Sequence, residues 1–189
     1  MSTLETNLIQ PSTGTTLTLG ASGDTITVPS GASLSVPSGG LSGQNYPAFE
    51  AYLSANQTFT NLAITKVQFN TEVLDTNNYY DNATNYRFTP QVSGKYYVYS
   101  GVQIREGLFN IEQQNLWIYK NGSAYRNAGQ YISASKFSIS NLSQSAIIDM
   151  NGSTDYIEIF TTGRYAGGTP TIEGGSSNTT YFGAYRIGS

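Results

Sequence analysis

Acidic and amide side chains between Glu72 and Asp81 are the first residues of this chain that could do chemistry. Asp75, Asn77 and Asp81 lie close together, in a stretch that we predict to be the loop after a strand ending at Phe69. Calcium is bound by several loop oxygens of this kind, although no glycine marks the sharp turn of an EF-hand here. Asp75, Asn77 and Asp81 are therefore candidate calcium ligands. The alternative is that they only shape turns, as Asx residues often do.

No catalytic site follows from the other reactive residues. The chain has no histidine and no cysteine, which removes the Ser-His-Asp triad, thiolate nucleophiles and the usual zinc ligands. The 12 Asp and Glu residues leave a paired-carboxylate glycosidase open by count, but nothing in the sequence places two of them in one cleft. We expect no enzyme activity, no catalytic residue and no cofactor.

Charge is sparse and slightly acidic. Only 11% of the residues are charged, the net charge is -3, and the 9 Lys and Arg residues are scattered singly. Capture of nucleic acid needs a basic patch, and membrane insertion needs a long apolar run; the sequence has neither, so we expect no nucleic acid partner and no membrane insertion. The first residues lack the basic and apolar regions of a signal peptide, from which we expect synthesis in a host cytoplasm.

Short strands separated by turns account for most of the region after Tyr46. Alternation of apolar and polar positions is clearest from Tyr96 to Ile104, as in strands with one buried face. Asn-Gly pairs at 121–122 and 151–152 indicate tight turns, and no segment has a convincing helical period. The pattern predicts an all-β sandwich or jelly roll. The predicted strands are 48–53, 64–69, 86–89, 96–104, 115–119, 145–150, 156–161 and 179–187.

The N-terminal region has a different composition. Residues 1–43 contain no Lys, Arg or aromatic residue, so we divide the chain into a segment at 1–43 and a domain at 44–189. Apolar triplets recur within 14–40, with Gly, Ser, Asp or Pro between them. Such short repeats bury an apolar face only by stacking on copies, which predicts a β-repeat stalk wound from three chains; a flexible linker is the alternative. The stalk residues predicted at the trimer interface are Leu17, Leu19, Ile26, Val28, Leu34 and Val36.

Six residues in the domain are spaced as in the C1q/tumour-necrosis-factor-like family. Asp75 and Tyr80 follow Phe69 at the family's distances, Phe88 comes one residue late, and Gly-x-Tyr follows Phe88 at the expected spacing. Val98 and Ser100 replace two expected aromatic residues, so residues 47–187 resemble a distant member, and no ligand of an animal homologue is carried over. The fold-signature residues, interpreted as core and turn positions without chemistry, are Phe69, Asp75, Tyr80, Phe88, Gly94 and Tyr96.

The resemblance implies a C1q/TNF-like ten-strand jelly-roll sandwich that forms tight homotrimers. Tyr97 and Tyr99 face away from Tyr96 and Val98, so both faces of this strand are bulky. Because tyrosine is favoured at interfaces, we predict that Tyr97 and Tyr99 lie at the trimer interface. Exposure to solvent is the alternative.

A β stalk, a trimeric head, no cysteine and few charges resemble a bacteriophage fibre or capsid-decoration protein. In this hypothesis residues 1–13 dock onto other virion proteins, the protein lies on the virion surface, and the head contacts host-surface carbohydrate. Exposed Tyr and Asn side chains suit sugars through stacking and hydrogen bonds. Two alternatives stay open: a free C1q-like lectin or adhesion module, and a fibre-borne glycan depolymerase.

Overall fold

The computed structural model describes residues 13–15, 18–34, 46–107, 110–131, 136–175 and 177–188. The chain divides into two units, Met1–Gln44 and Asn45–Ser189. The second unit, called the head below, contains all the strands that the structure describes. No helix in the described part of the chain is long and apolar enough to span a membrane.

Thirteen strands form within the described residues of the head, and their pairings are all antiparallel. The predicted all-β class is confirmed, with three more strands than the ten predicted because several are two-residue pieces at the sheet margins. In chain order the strands are β1 (Ala48–Tyr52), β2 (Gln57–Thr58), β3 (Thr65–Lys66), β4 (Thr71–Asp75), β5 (Tyr80–Asp81), β6 (Arg87–Phe88), β7 (Gly94–Arg105), β8 (Ile111–Lys120), β9 (Ser123–Tyr131), β10 (Ile139–Met150), β11 (Ile157–Tyr165), β12 (Thr171–Ile172) and β13 (Tyr181–Gly188).

Two sheets face each other in the head. Among the described residues, sheet A has seven strands, with β10, β7, β13, β1 and β4 running side by side and β12 and β2 completing one margin. Sheet B has six, ordered β5-β6-β11-β8-β9, with β3 beside β11. Because each strand alternates its side chains, one set of residues fills the space between the sheets and the other faces outward.

Aromatic rings fill the centre of the sandwich. The Phe49 ring lies 4.7 Å from Tyr80, 4.4 Å from Phe88 and 4.8 Å from Phe182, measured between ring centroids. From β7, the side chains of Tyr96, Val98, Val102 and Ile104 are fully buried in the same interior. Burial of such large apolar surfaces supplies most of the stabilisation of a single sandwich.

One stretch that the sequence assigned to a loop is a strand. Residues 71–75 form β4 and pair with β1, so the prediction that Glu72 and Asp75 lie in a loop after Phe69 is wrong. The stretch alternates poorly, since Val73 and Leu74 are both exposed, and a β-bulge interrupts its register opposite Glu50 and Ala51. A bulged strand with one neighbour has little need of strict alternation.

Residues 18–34 of the N-terminal unit contain turns but no strand. Turns close where the Asp24 backbone N–H binds the Ala21 carbonyl and where Ala32 binds Pro29, at 3.1 and 3.0 Å. Leu19, Ile26, Val28 and Leu34 are 43–70% exposed. Leu17, Val36 and residues 1–12 of the proposed docking segment lie outside the described residues. The interchain stalk stays a prediction.

Candidate functional site

The candidate calcium ligands Asp75 and Asn77 hydrogen-bond within their own turn. The Asp75 carboxylate accepts the backbone N–H of Tyr80 at 2.8 Å and that of Asn77 at 3.2 Å. The Asn77 side-chain carbonyl accepts the Thr76 hydroxyl at 2.9 Å. These bonds fix the turn between β4 and β5. Turn formation is the role that the sequence offered as the alternative to calcium binding.

Asp81 is committed to a second turn. Its Oδ1 accepts the backbone N–H groups of Ala83 and Thr84 at 3.0 and 2.8 Å, and its Oδ2 accepts both the backbone and side-chain N–H of Asn85. The hydrogen bond from Thr84, supported by those from Ala83 and Asn85, lowers the pKa of Asp81 to about 2. Within the described ranges no three carboxylates are grouped closely enough to hold a metal ion.

The fold-signature residues lie in the core and in turns. Phe69, Tyr80, Phe88 and Tyr96 are buried, and the Tyr80 hydroxyl donates to the Phe69 carbonyl at 2.9 Å. Gly94 has a φ of 138°, and a Cβ there would collide with the Gly188 carbonyl. Only glycine fits where β7 begins against the end of β13.

The outward side of sheet A is lined with tyrosines. Tyr97 stands opposite Tyr185 on β13 and Ile147 on β10, and in the next row Tyr99 stands opposite Gly183 and Ser145. Two rows are thus continuous across three strands. We call this surface the tyrosine face, and it consists of Glu50, Tyr97, Tyr99, Ile147, Tyr181 and Tyr185.

Glycines let the tyrosine rings lie flat on the sheet. A Cβ at Gly101 would lie 2.6 Å from the Tyr181 ring, and one at Gly183 would collide with the Tyr99 ring. The rings of Tyr99 and Tyr181 are 6.2 Å apart, and Tyr97 is 5.5 Å from Tyr185. The rings therefore form one connected aromatic layer with fixed orientations.

A single carboxylate is held within this layer. The Tyr99 hydroxyl donates a hydrogen bond to Glu50 Oε2 at 2.7 Å. Burial, together with the adjacent Glu50 carboxylate, raises the pKa of Tyr99 well above its usual range. The hydroxyl therefore stays protonated at neutral pH and satisfies the only acidic group of the tyrosine face.

The tyrosine face has the composition of a protein-binding surface. Ile147 and Tyr185 are 55% and 46% exposed, and a depression of about 500 Å³ opens beside Tyr97, Tyr99 and Tyr181. Aromatic residues with few charges are typical of interface centres. The arrangement offers packing area and hydroxyl groups, and in the described residues it carries no paired acid and base.

The sequence identified part of this surface. Tyr97 and Tyr99, predicted from alternation in their strand, face outward as expected from it. Tyr181, Tyr185 and Ile147 were not singled out, although each falls in a strand predicted from the sequence. Alternation within their strands indicates that these side chains face outward. Their position beside Tyr97 and Tyr99 depends on the registers of β10 and β13 against β7, which join segments distant in sequence.

Solved structures with a fold similar to that of the head include a complement 1qA domain and a TNF-family protein. The globular domain of zebrafish complement 1qA matches with a TM-score of 0.53 and 17% identity, covering 76% of this chain and 98% of its own. Murine APRIL, a TNF-family protein, matches with a TM-score of 0.52 and 12% identity, covering 76% of this chain and all of its own. The head has a C1q/TNF-like jelly-roll fold. No family model and no curated protein sequence matches the chain.

Proposed function

We propose that this chain is a non-enzymatic structural protein whose head assembles into a homotrimer through the tyrosine face, as part of a bacteriophage fibre or capsid decoration. The observation that carries the proposal is the aromatic layer on the outward side of sheet A, with Ile147 and Tyr185 about half exposed. Apolar area of this kind gains free energy when another surface covers it.

Further copies of the same chain are the best occupant of this face. Its one carboxylate, Glu50, accepts a hydrogen bond from Tyr99, and the other side chains of the face offer aromatic and aliphatic surface. In a three-fold ring each interface is heterologous, so the tyrosines and isoleucine of one copy would pack against a different surface of the next copy, and the rotation closes the ring. The trimer implied by the C1q/TNF-like resemblance provides such a closed arrangement.

The N-terminal unit supports attachment to a larger assembly. Ile26 and Leu34 are 65% and 70% exposed in the single chain, and between them lie polar turns. Three such segments wound together would cover each other's apolar positions. Residues 1–13 would then dock onto virion proteins, with the head directed outward to contact host-surface carbohydrate.

Native mass is the first test of the trimer. The full chain is expected to have three times the mass of one chain at micromolar concentration. Ile147→Glu places a charge in the tyrosine face and is expected to give monomers, because an unpaired charge is costly to bury. Ile64→Glu is the matched control, since Ile64 is also 55% exposed but lies outside this face. Monomeric wild-type protein, or a trimeric Ile147→Glu variant, would contradict the proposal.

Purified particles separate the virion role from a free C1q-like module. A virion protein is expected to sediment with bacteriophage particles and to be released only when they are dissociated, whereas a free module is expected in the soluble fraction. Release of reducing ends from host polysaccharide would instead indicate a depolymerase. We expect no release of reducing ends.

A further inference from the structure

A polar groove lies at the side of the head where β4 of sheet A approaches β5 and β6 of sheet B. It encloses about 510 Å³, a volume typical of small-ligand sites. None of its lining residues belongs to the tyrosine face. The lining residues that matter for its chemistry are Glu72, Asn78, Tyr79, Asn82, Arg87 and Gln91.

The walls of the groove are fixed before any ligand binds. Asp75 and Asp81 bind the backbone N–H groups of the turns on either side of Asn78 and Asn82. Behind them, the Lys66 ammonium donates to the Asn85 carbonyl at 3.1 Å. A site held in shape in this way loses little conformational entropy on binding.

Several polar side chains in the groove have no use within the fold. Among the residues that the structure describes, the side chains of Glu72, Asn78 and Asn82 make no hydrogen bond and no ion pair. Gln91 uses its amide N–H groups on the Thr89 and Ser153 carbonyls, which leaves its side-chain oxygen available. The groove therefore presents free acceptors and donors side by side.

Arg87 and Tyr79 add a positive charge and an aromatic ring to the groove lining. The Arg87 guanidinium lies over the Tyr156 ring, 4.5 Å from its centroid, which orients it without neutralising it. Tyr79 is half-buried and packs against the core, so its exposed side adds apolar surface. Burial and the nearby Asp75 carboxylate raise the pKa of Glu72.

This combination favours one class of ligand. Carboxylates of Glu72 and Asp81 repel anions, and Arg87 opposes a simple cation. Free carboxylate, amide and guanidinium groups beside an aromatic ring match vicinal hydroxyls and the apolar face of a sugar. The geometry points to this groove as a binding site for a neutral carbohydrate. The assignment rests on the proposed contact with host-surface glycan and gives that contact a location.

Binding without hydrolysis is the expected chemistry. Cleavage of a glycoside needs two available carboxyl groups, but Asp81 already accepts four hydrogen bonds from its own turn. Glu72 is then the one carboxyl group in the groove lining that is free to reach a ligand.

Saturation-transfer NMR on the full chain tests the assignment. The probes are the methyl glycosides of mannose, galactose, glucose and N-acetylglucosamine, with sialic acid as an anionic comparison. Saturation is expected to reach at least one neutral sugar and not sialic acid. Asn82→Ala and Glu72→Ala are each expected to weaken that binding by about tenfold, since each removes hydrogen bonds from a desolvated ligand.

Asn127→Ala is the matched control, because Asn127 is an exposed residue of β9, at the edge of sheet B opposite β5 and the groove. It is expected to bind like the wild type, and circular dichroism should show that all variants fold. No transfer to any of the four neutral sugars, a preference for sialic acid, or equal loss in Asn127→Ala would each overturn the assignment. Native mass on the same samples keeps the two proposals separate: sugar binding can fail in an intact trimer, and a monomer can still bind sugar.

Discussion

The same apolar alternation has opposite outcomes in the two units of this chain. In β7 of the head, Tyr96, Val98 and Val102 are completely buried. In the N-terminal unit, Leu19, Ile26, Val28 and Leu34 are 43–70% exposed. Alternation creates an apolar face in both, but only in the head does the chain itself supply the sheet that covers it.

Alternation therefore indicates that an apolar face must be covered. It does not indicate whether the same chain or another chain covers it. β7 is bonded to β10 on one side and to β13 and β12 on the other, and sheet B covers its inner face. Residues 18–34 have turns but no neighbouring strand. The tyrosine face is an intermediate case, since its rings pack on each other but half of Ile147 stays exposed.

Removal of a central core ring should have the largest effect. Phe49→Ala is expected to destabilise the head by about 3–5 kcal/mol, because it leaves a cavity among the rings of Tyr80, Phe88 and Phe182. Ile26→Ala should leave the urea midpoint of the head unchanged, since Ile26 is 65% exposed among the described residues. Urea unfolding followed by tryptophan fluorescence reports the head alone, because the one Trp of the chain is Trp117 in β8. A shift of that midpoint in Ile26→Ala would break the comparison.

Added bulk beneath the tyrosine face should have the next largest effect. Gly183→Ala drives a Cβ into the Tyr99 ring and is expected to cost about 1–3 kcal/mol, the usual range for overpacking. It should also weaken the trimer, because Tyr99 must tilt out of the aromatic layer. Gly107→Ala is the control, since a Cβ there meets nothing within 4 Å. Thermal unfolding and native mass, measured on both variants, check the two effects; equal stability of the two variants would show that the rings adapt freely.

Local patterns were sufficient for much of the head. Alternation from Tyr96 to Ile104 predicted β7, and Asn121-Gly122, where both residues have positive φ, predicted the turn between β8 and β9. The spacing of Phe69, Tyr80 and Phe88 indicated a C1q/TNF-like domain, and all three side chains are buried in its core. Each of these signals involves neighbouring residues or turn geometry, which a sequence displays directly.

Features that depend on distant registers were not predictable. Tyr99 over Gly183 requires β7 and β13 to pair in one register, although the two residues are far apart in sequence. β9 was missed because most of its residues are exposed, as an edge strand with one neighbour permits. The sequence left two interpretations of Asp75 and Asp81 open, because a carboxylate that caps a turn and one that binds a metal look alike in sequence.

Alkaline pH distinguishes the N-terminal unit from the head. Because residues 1–43 contain no tyrosine, any loss of stability caused by ionisation of tyrosines arises in the head. Burial raises the pKa of Tyr96 to about 12, against about 10 in an unfolded chain. The folded state then holds its proton more tightly, so stability is full below about pH 10 and falls as the pH rises toward 12. Urea midpoints should fall less steeply across this window in Tyr96→Phe than in the wild type. Tyr46→Phe, at an exposed position, should follow the wild type, and parallel curves for all three proteins would exclude Tyr96 as a cause.

The smallest effect is expected at the turn that borders the groove. Asp81→Asn keeps one side-chain acceptor but replaces the other by an N–H₂ group that faces donors, so the head should lose about 1 kcal/mol. The loss has a defined pH dependence: because the folded pKa of Asp81 is about 2, below its unfolded value, wild-type stability from this group is present above about pH 4 and disappears as the pH falls toward 2. The two proteins should therefore differ at pH 7 and converge in acid, as measured by urea unfolding. A constant difference across that range would mean that the lost hydrogen bonds, and not the charge of Asp81, hold the turn. The groove would then owe its shape to geometry that an uncharged residue could also provide, in contrast to the core, where Phe49→Ala removes packing area that the remaining rings do not replace.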